Sequence, residues 1–175
     1  MEQYEAEVGG PVRHAVHAHA SATDGRTPGR RNDVNEIIGY TTGVFDMFHI
    51  GHLNVLRRAS ERCDRLVVGV TTDELCVARK GKSPVIPFEE RREIVASVRY
   101  VSSVVAQSSM DKVGAWHLHR FDRMFVGDDW HGSDQWHRYE REFGDLGVEL
   151  LYLPYTVHTS STLLRQRVVS EEAVS

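Results

Sequence analysis

The amino-acid sequence predicts an α/β protein with a doubly wound parallel sheet of five strands. From Glu36 onward, short β-branched runs alternate with segments whose apolar residues recur at helical spacing. The run RLVVGVTT at 65–72 is typical of a strand buried on both faces of a parallel sheet. Polar residues follow the strands, at the carboxyl edge where such sheets bind ligands. We therefore expect one Rossmann-like domain.

The individual elements follow in order along the chain. Strands are predicted at 37–42, 65–72, 103–107, 123–127 and 148–154. Helices are predicted at 52–63, 87–100, 111–120, 133–143 and 160–171. The segment between the second strand and the second helix contains Arg79, Lys80, Gly81 and Lys82, and we expect it to form a basic loop.

Composition supports one globular domain and limits its partners. The chain has 175 residues, of which 41% are hydrophobic, and a formal net charge of −4. This acidic balance, without a basic stripe, disfavours a nucleic-acid partner. No apolar run approaches the length of a membrane span, and the acidic N-terminus lacks the apolar region of a signal peptide. We expect a cytoplasmic protein that does not insert into membranes.

Residues 1–35 differ from the rest of the chain. They are rich in Gly, Ala, His, Arg and Thr, and they show no apolar periodicity. His14, His17 and His19 could be interpreted as a metal cluster, but a flexible arm that contains histidines is favoured, because a zinc site needs three or four ligands held in fixed geometry. We predict a disordered arm without assigned function, followed by a folded domain at 36–175.

The stretch YTTGVFDMFHIGH at Tyr40–His52 is the centre of the predicted site. A strand reaches Gly43, crosses a short loop with His49 and His52, and continues directly into a helical pattern. The first N–H groups of a helix have no partners within it, and the helix dipole is positive there, so the loop suits phosphate. We expect Gly43 to allow phosphate close to the backbone and Gly51 to let the chain turn.

The two histidines have alternative interpretations. His49 and His52 are three residues apart, which allows both rings to donate N–H groups to phosphate oxygens in one pocket. Helix capping and zinc ligation are the alternatives, and zinc is disfavoured because no third or fourth ligand of suitable spacing follows nearby. Their position between strand and helix favours phosphate.

Other loops at the same edge of the sheet also contain residues that can bind a nucleotide or its phosphates. Beside the basic loop, the fourth strand leads into GDDW at Gly127–Trp130, and the last strand leads to Ser160, Ser161 and Thr162 at a helix start. Taken alone, hydroxyl residues at a helix start are ordinary N-caps. Because they converge with two histidines and a basic loop, we predict a triphosphate-binding site.

Four motifs in this order resemble the cytidylyltransferase branch of the HxGH nucleotidyltransferase superfamily, and within it the glycerol-3-phosphate cytidylyltransferases. They are GVFDMFHIGH at 43–52, RYV at 99–101, GDDW at 127–130 and HTSSTLLR at 158–165. The resemblance extends from about Ile37 to Arg167. Four motifs in a fixed order are far more specific than the histidine pair alone.

The resemblance implies a role for each matching cation. His49 and His52 would bind the triphosphate and stabilise the charge that builds on its α-phosphate. Lys82, with Lys80 or Arg79 as its neighbour, would contact the phosphates of both substrates. Arg91 would contact the β- and γ-phosphates or the acceptor phosphate.

Further positions would hold the nucleotide and a metal ion. By the same resemblance, nucleotide contacts would come from Gly43, Val44, Phe45, Gly51, Asp128, Asp129, Trp130, Ser160, Ser161 and Thr162. Asp46 would either approach a magnesium ion or orient the loop by capping its backbone.

Some positions depart from the family pattern. Val44 replaces a threonine and leaves only a backbone contact there, while Tyr155 replaces an arginine and His158 a glycine. Ser102 and Ser103 replace an acidic pair in a segment that lies near a dimer contact in relatives. The resemblance still implies a homodimer.

The implied reaction transfers CMP from CTP to a phosphorylated alcohol, with glycerol 3-phosphate as the first choice of acceptor. The attacking phosphate oxygen is already an anion, so the site needs cationic and N–H donors rather than a strong base. Magnesium is implied by the charge of the triphosphate. The alternatives are an adenylyltransferase of the same fold, acting on a sugar phosphate or cofactor precursor, and a non-catalytic nucleotide-binding protein.

Overall fold

The computed structural model describes residues 36–154, 156 and 160–172. The predicted arm at 1–35 lies outside the described residues, as do the substituted positions Tyr155 and His158.

Within the described residues, five parallel strands form one sheet, as the sequence predicts. The strands are β1 Ile38–Gly43, β2 Arg65–Thr71, β3 Ser103–Gln107, β4 Arg123–Gly127 and β5 Glu149–Leu153. Their order is β3-β2-β1-β4-β5, and every neighbouring pair is parallel. The chain runs outward from β1 to β3 and returns on the other side at β4. The strand order therefore reverses between β1 and β4, where doubly wound sheets bind ligands.

Helices α1 to α6 and one 3-10 turn complete the described fold. Their bounds are α1 Ile50–Ser60, α2 Asp73–Lys80, α3 Phe88–Ala96, α4 Lys112–His119, the 3-10 turn Asp128–Trp130, α5 Asp134–Asp145 and α6 Ser161–Glu172. Among the described residues, no helix combines the length and the apolar character needed to cross a membrane.

The sequence predicts a continuous basic loop between the second strand and the second predicted helix. This prediction is wrong, because part of that segment forms helix α2. Thr72 caps this helix by accepting a hydrogen bond from the Leu75 N–H at 3.3 Å, and Asp73 lies in its first turn. Gly81 ends it in the left-handed conformation, with φ of 66°. These are ordinary start and stop signals. The basic loop is therefore shorter, and Lys80 belongs to the last turn of a helix.

Alternate residues of the central strands pack on opposite faces of the sheet. Leu66, Val68 and Val70 belong to a core cluster that includes residues of α1 and α3. Val67 belongs to a second cluster, which Tyr40 and residues of α5 complete. Because both faces of β2 are buried, its sequence reads as a continuous apolar run.

One close approach between layers requires a glycine in β1. A Cβ atom built on Gly39 would lie 2.6 Å from both Cys63 Sγ and Phe125 Cε2. The Phe125 ring is buried in the core and has little room to move. Gly39 therefore sets the spacing between β1 and the side chains that cover it.

We expect the substitution Gly39→Ala to lower the free energy of unfolding by about 1–3 kcal/mol through overpacking. The matched control is Gly144→Ala in α5, where a Cβ atom meets nothing within 4 Å. That change should raise stability by up to about 1 kcal/mol through helix propensity. Urea unfolding of both variants checks this, and equal midpoints would contradict the close approach at Gly39.

Candidate active site

The loop between β1 and α1 lies at the switch point of the sheet and has an unusual backbone. Phe45 and Met47 adopt left-handed conformations with φ of 54° and 48°. Each costs a non-glycine residue about 1–2 kcal/mol, and such strain concentrates at ligand sites. Gly51, by contrast, is buried in the first turn of α1. The prediction that Gly51 provides the turn is therefore wrong, because the chain turns at Phe45 and Met47.

His49 caps helix α1 and has a defined tautomer. Its Nδ1 accepts a hydrogen bond from the Gly51 N–H at 3.0 Å. A neutral imidazole that accepts at Nδ1 carries its proton on Nε2. Capping and phosphate binding, which the sequence leaves as alternatives, are thus compatible. The cap fixes the ring and leaves Nε2–H as a donor.

His52 packs against His49 in a largely apolar setting. The two ring centroids are 3.9 Å apart, and the rings of Phe45 and Phe48 contact His52 from other directions. Its Nδ1 is buried without a hydrogen-bond partner among the described residues. Burial, followed by the nearby His49, lowers the pKa of His52 to about 4, although Asp46 opposes the shift. Burial also lowers the pKa of His49. Both rings are therefore neutral near pH 7.

Asp46 is buried beneath the same loop and joins three segments. Its carboxylate accepts hydrogen bonds from the N–H groups of Val85 at 3.0 Å and Ile86 at 2.9 Å, and it forms an ion pair with Arg165 of α6. Its backbone carbonyl accepts from the Ser161 hydroxyl at 2.7 Å. Burial opposes ionisation, but these N–H groups and the guanidinium hold the pKa of Asp46 below its ordinary value. These contacts match the loop-orienting alternative for Asp46.

A cavity of about 310 Å³ opens beside this loop. Lys80 and Lys82 line it together with Ser161 and Thr162 from the start of α6. The other lining residues are Val44, Asp46, Cys76, Ser83, Pro84 and Arg165. The structure thus brings Lys80, Lys82 and the start of α6 together beside the first residues of the histidine loop, whereas His49 and His52 are not among the residues that line this cavity.

The three hydroxyl residues at α6 have different partners. Ser160 accepts a hydrogen bond from the Leu163 N–H at 3.2 Å, as an N-cap does. Ser161 donates to Asp46, as described above. Thr162 is exposed and lines the cavity. The capping alternative is thus correct for Ser160, while Thr162 contributes to the wall of the cavity.

Arg91 does not match its predicted role as a phosphate ligand. Its side chain is completely buried. The guanidinium donates to the carbonyl oxygens of Val44, Ile86 and Thr71 and to the carboxylate of Asp73. The guanidinium is buried and already hydrogen-bonded to these protein acceptors. Arg91 therefore stabilises the start of the histidine loop and does not face a substrate.

The GDDW motif lies at the other side of the switch point, directly after β4. Asp128, Asp129 and Trp130 form the exposed 3-10 turn, and 47% of the Trp130 surface is accessible. A Cβ atom on Gly127 would collide with the Asp129 carboxylate, which folds back over the end of the strand. The predicted nucleotide-binding residues thus follow the strand next to β1, and the Trp130 side chain is partly open to solvent.

Lys112 is a buried cation that the sequence analysis did not identify. Only 4% of the residue is exposed, and its Nζ donates to Thr42 Oγ1 at 3.0 Å, at the carboxyl end of β1. Burial, and then the positive charge of Arg79, lowers the pKa of Lys112 to about 8, while Asp111 opposes the shift. A lysine opening an amphipathic helix normally faces solvent, so no pattern in the sequence distinguishes it.

The described residues do not fit a protein-built magnesium cage. They contain no cluster of three or more His, Cys, Asp or Glu side chains arranged to hold a metal. Asp46, the predicted ligand, already accepts from two N–H groups and a guanidinium. We therefore assign no chemical step to a metal ion.

Comparisons with known proteins agree with this geometry. Residues 40–167 match a family model described as cytidylyltransferase-like. The glycerol-3-phosphate cytidylyltransferase of Bacillus spizizenii is 32% identical over 131 residues, covering 74% of this chain and 95% of that protein. The FAD synthase of Pyrococcus abyssi is 46% identical over 63 residues, covering 36% of this chain and 43% of that protein.

Solved structures show the same fold. The lipopolysaccharide core biosynthesis protein from Thermoplasma volcanium superposes with a TM-score of 0.59 at 22% identity, covering 71% of this chain and 99% of that chain. At this identity the likeness establishes the arrangement of strands and helices alone.

The low pKa of His52 predicts a pH-dependent stability. The folded value is about 4, against about 6.5 in an unfolded chain, so protonation favours unfolding. This contribution is complete above pH 6.5 and is lost as the pH falls toward 4. Between pH 7 and 5 the loss should be about 2 kcal/mol.

Urea unfolding at pH 7, 6 and 5 measures this loss in the wild type and in the substitution His52→Gln. The variant should lose less stability over the interval, because glutamine does not titrate. Parallel curves for the two proteins would contradict the burial of a neutral His52.

Proposed function

This chain belongs to the cytidylyltransferase-like family, and from that premise we propose that it transfers CMP from CTP to glycerol 3-phosphate, releasing pyrophosphate. It is a nucleotidyltransferase. The observation that carries the proposal is the cavity where Lys80, Lys82 and the α6 N-terminus meet the histidine loop. This arrangement suits a polyanion at the switch point of the sheet.

In the proposed reaction, a phosphate oxygen of the acceptor attacks the α-phosphorus of CTP. A new P–O bond forms, the bond from the α-phosphorus to the bridging oxygen breaks, and pyrophosphate leaves. The attacking oxygen is already an anion, so catalysis depends on bringing two anions together and stabilising the charge that develops.

The chain supplies two kinds of donor for the nucleotide. Neutral His49 offers its Nε2–H from a ring that the Gly51 N–H holds in place, and His52 stacks beside it. Lys80 and Lys82 offer full charges at the solvent-facing side of the cavity. We assign the histidines to the α-phosphate and the lysines to the phosphates that depart.

The acceptor phosphate is assigned to Lys112. This cation lies at the carboxyl end of β1, the strand that leads into the histidine loop. Arg79, on α2, is near enough to lower the pKa of Lys112, and its Nη1 lies 3.1 Å from the sulfur of Met110. Two neighbouring positive charges repel each other, and an anion that binds between them removes this repulsion.

The pyrimidine base is assigned to the GDDW turn, where Trp130 offers an exposed aromatic face. The similarity to an FAD synthase over 63 residues favours an adenylyltransferase as the second candidate. The proposal also includes magnesium carried by the triphosphate, a homodimer and a cytoplasmic location.

Pyrophosphate release by the purified protein tests the proposal. We expect turnover with CTP, magnesium and glycerol 3-phosphate, and little or none when ATP replaces CTP. Phosphoethanolamine, phosphocholine, ribitol 5-phosphate and a sugar 1-phosphate complete the acceptor panel. Turnover with ATP alone would move the chain to the adenylyltransferase alternative. Nucleotide binding without turnover on any acceptor would favour the non-catalytic alternative.

The control for this assay is His49→Ala, which removes the proposed donor at the α-phosphate. We expect kcat to fall by about 100-fold or more, as when a single transition-state donor is lost from other enzymes. An unchanged kcat would show that pyrophosphate release does not depend on this loop.

Lys112→Met tests the acceptor assignment, because it removes a cation with little change in volume. The acceptor KM should rise about 10- to 100-fold at pH 7, the usual value of a charged hydrogen bond, with the CTP KM nearly unchanged. Because the pKa of Lys112 is about 8, the wild-type acceptor KM should also rise above pH 8. Steady-state kinetics across pH 6.5–9 should show no such rise in the variant. A normal acceptor KM in the variant would contradict the assignment.

A further inference from the structure

A buried carboxylate joins the two halves of the proposed phosphate site. Asp46 is 2% exposed and lies between the strained residues Phe45 and Met47 of the histidine loop. Both carboxylate oxygens already accept hydrogen bonds from backbone N–H groups, and one of them also contacts Arg165. A cation approaching this carboxylate would meet a guanidinium that is already paired with it.

The contacts of Asp46 reach α6 at two successive turns. Ser161 donates to its backbone carbonyl at 2.7 Å, and Arg165, one turn later, pairs with its carboxylate. Thr162 lies between these two positions and faces the cavity. Two contacts to Asp46 thus hold the first turns of α6, which include Thr162, against the histidine loop.

We propose that Asp46 is a positioning residue that locks α6 to the histidine loop, and that it is not a ligand of magnesium. Its carboxylate holds Arg165 in place, and its backbone carbonyl holds Ser161. The two phosphate-binding elements then keep a fixed separation in the empty protein. The kinetic part of this inference rests on the proposed function, whereas the structural part does not.

The orientation of Arg165 supports the inference. Its Nε is buried without a hydrogen-bond partner among the described residues, although its Nη2 is paired with Asp46. A buried donor left unpaired is unfavourable, so other contacts must offset that cost for the side chain to keep this position. The ion pair with Asp46 supplies that contact, so the pair determines where the guanidinium lies beside the cavity.

The substitution Asp46→Asn tests the lock, because asparagine keeps the shape but loses the charge. Hydrogen exchange of the ligand-free protein should be at least tenfold faster at Val85, Ile86 and the first two turns of α6. Arg165→Gln is the matched variant, since it breaks the same pair from the other side. It should speed exchange in α6, with a smaller effect at 85–86. The double variant should exchange in α6 no faster than the more affected single variant.

Steady-state kinetics separate positioning from metal ligation. A positioning role predicts that both variants raise the KM for CTP about tenfold or more, while the magnesium concentration that gives half-maximal rate changes less than twofold. An increase of tenfold or more in that concentration for Asp46→Asn, with no change for Arg165→Gln, would overturn the inference. So would additive effects of the two substitutions on exchange in α6. Because the exchange measurements need no substrate, they decide the lock even if the wild type fails to turn over CTP.

Discussion

The geometry of the site depends on two buried charges beneath the histidine loop. The Arg91 guanidinium donates to the carbonyl of Val44, and the Asp46 carboxylate accepts from the N–H groups of residues 85–86. Between these anchors the chain passes through Phe45 at positive φ, a conformation that persists only where surrounding contacts over-determine it. The histidines follow within a few residues. Their placement thus depends on two charged side chains that are themselves buried.

The cationic side chains near the site differ in how deeply they are buried, and this determines which groups they can contact. Arg91 is completely enclosed by protein acceptors, so its charge stabilises backbone carbonyls at the ends of β2 and of the loop. Lys80 and Lys82 are exposed on the cavity, where their charge is available to an incoming anion. Lys112 is intermediate, because it is buried like Arg91 but donates its hydrogen bond to a neutral hydroxyl, that of Thr42. A buried cation with a neutral partner gains most when an anion arrives.

Much of the fold and part of the site follow from the sequence, for identifiable reasons. The continuous apolar run of β2 and the strand-loop-helix pattern at Gly43–His52 are local signals, so they predict the sheet and the switch point correctly. The roles of Arg91 and Lys112 are not local. Both residues lie near the start of a helix, and only the packing of distant segments decides that Arg91 is enclosed while Lys112 reaches the end of β1. Thr72 and Gly81 mark the ends of helix α2, but the basic residues between α2 and α3 favour a loop over the whole segment, so the sequence does not predict this helix.

The neutral state of the two histidines suits the reaction proposed above better than a pair of fixed charges would. A cation attracts the triphosphate of the bound substrate and that of the transition state almost equally, which tightens binding without speeding the chemical step. A preorganised N–H dipole instead gains most where charge develops, and it needs no reorganisation at that moment. In the proposed reaction, the Nε2–H of His49, whose ring the Gly51 N–H holds in place, would meet this condition. Burial keeps His52 neutral beside it in the ligand-free protein. The rings of Phe45 and Phe48 contribute to this burial of His52. They exclude the water that would otherwise stabilise its charged form.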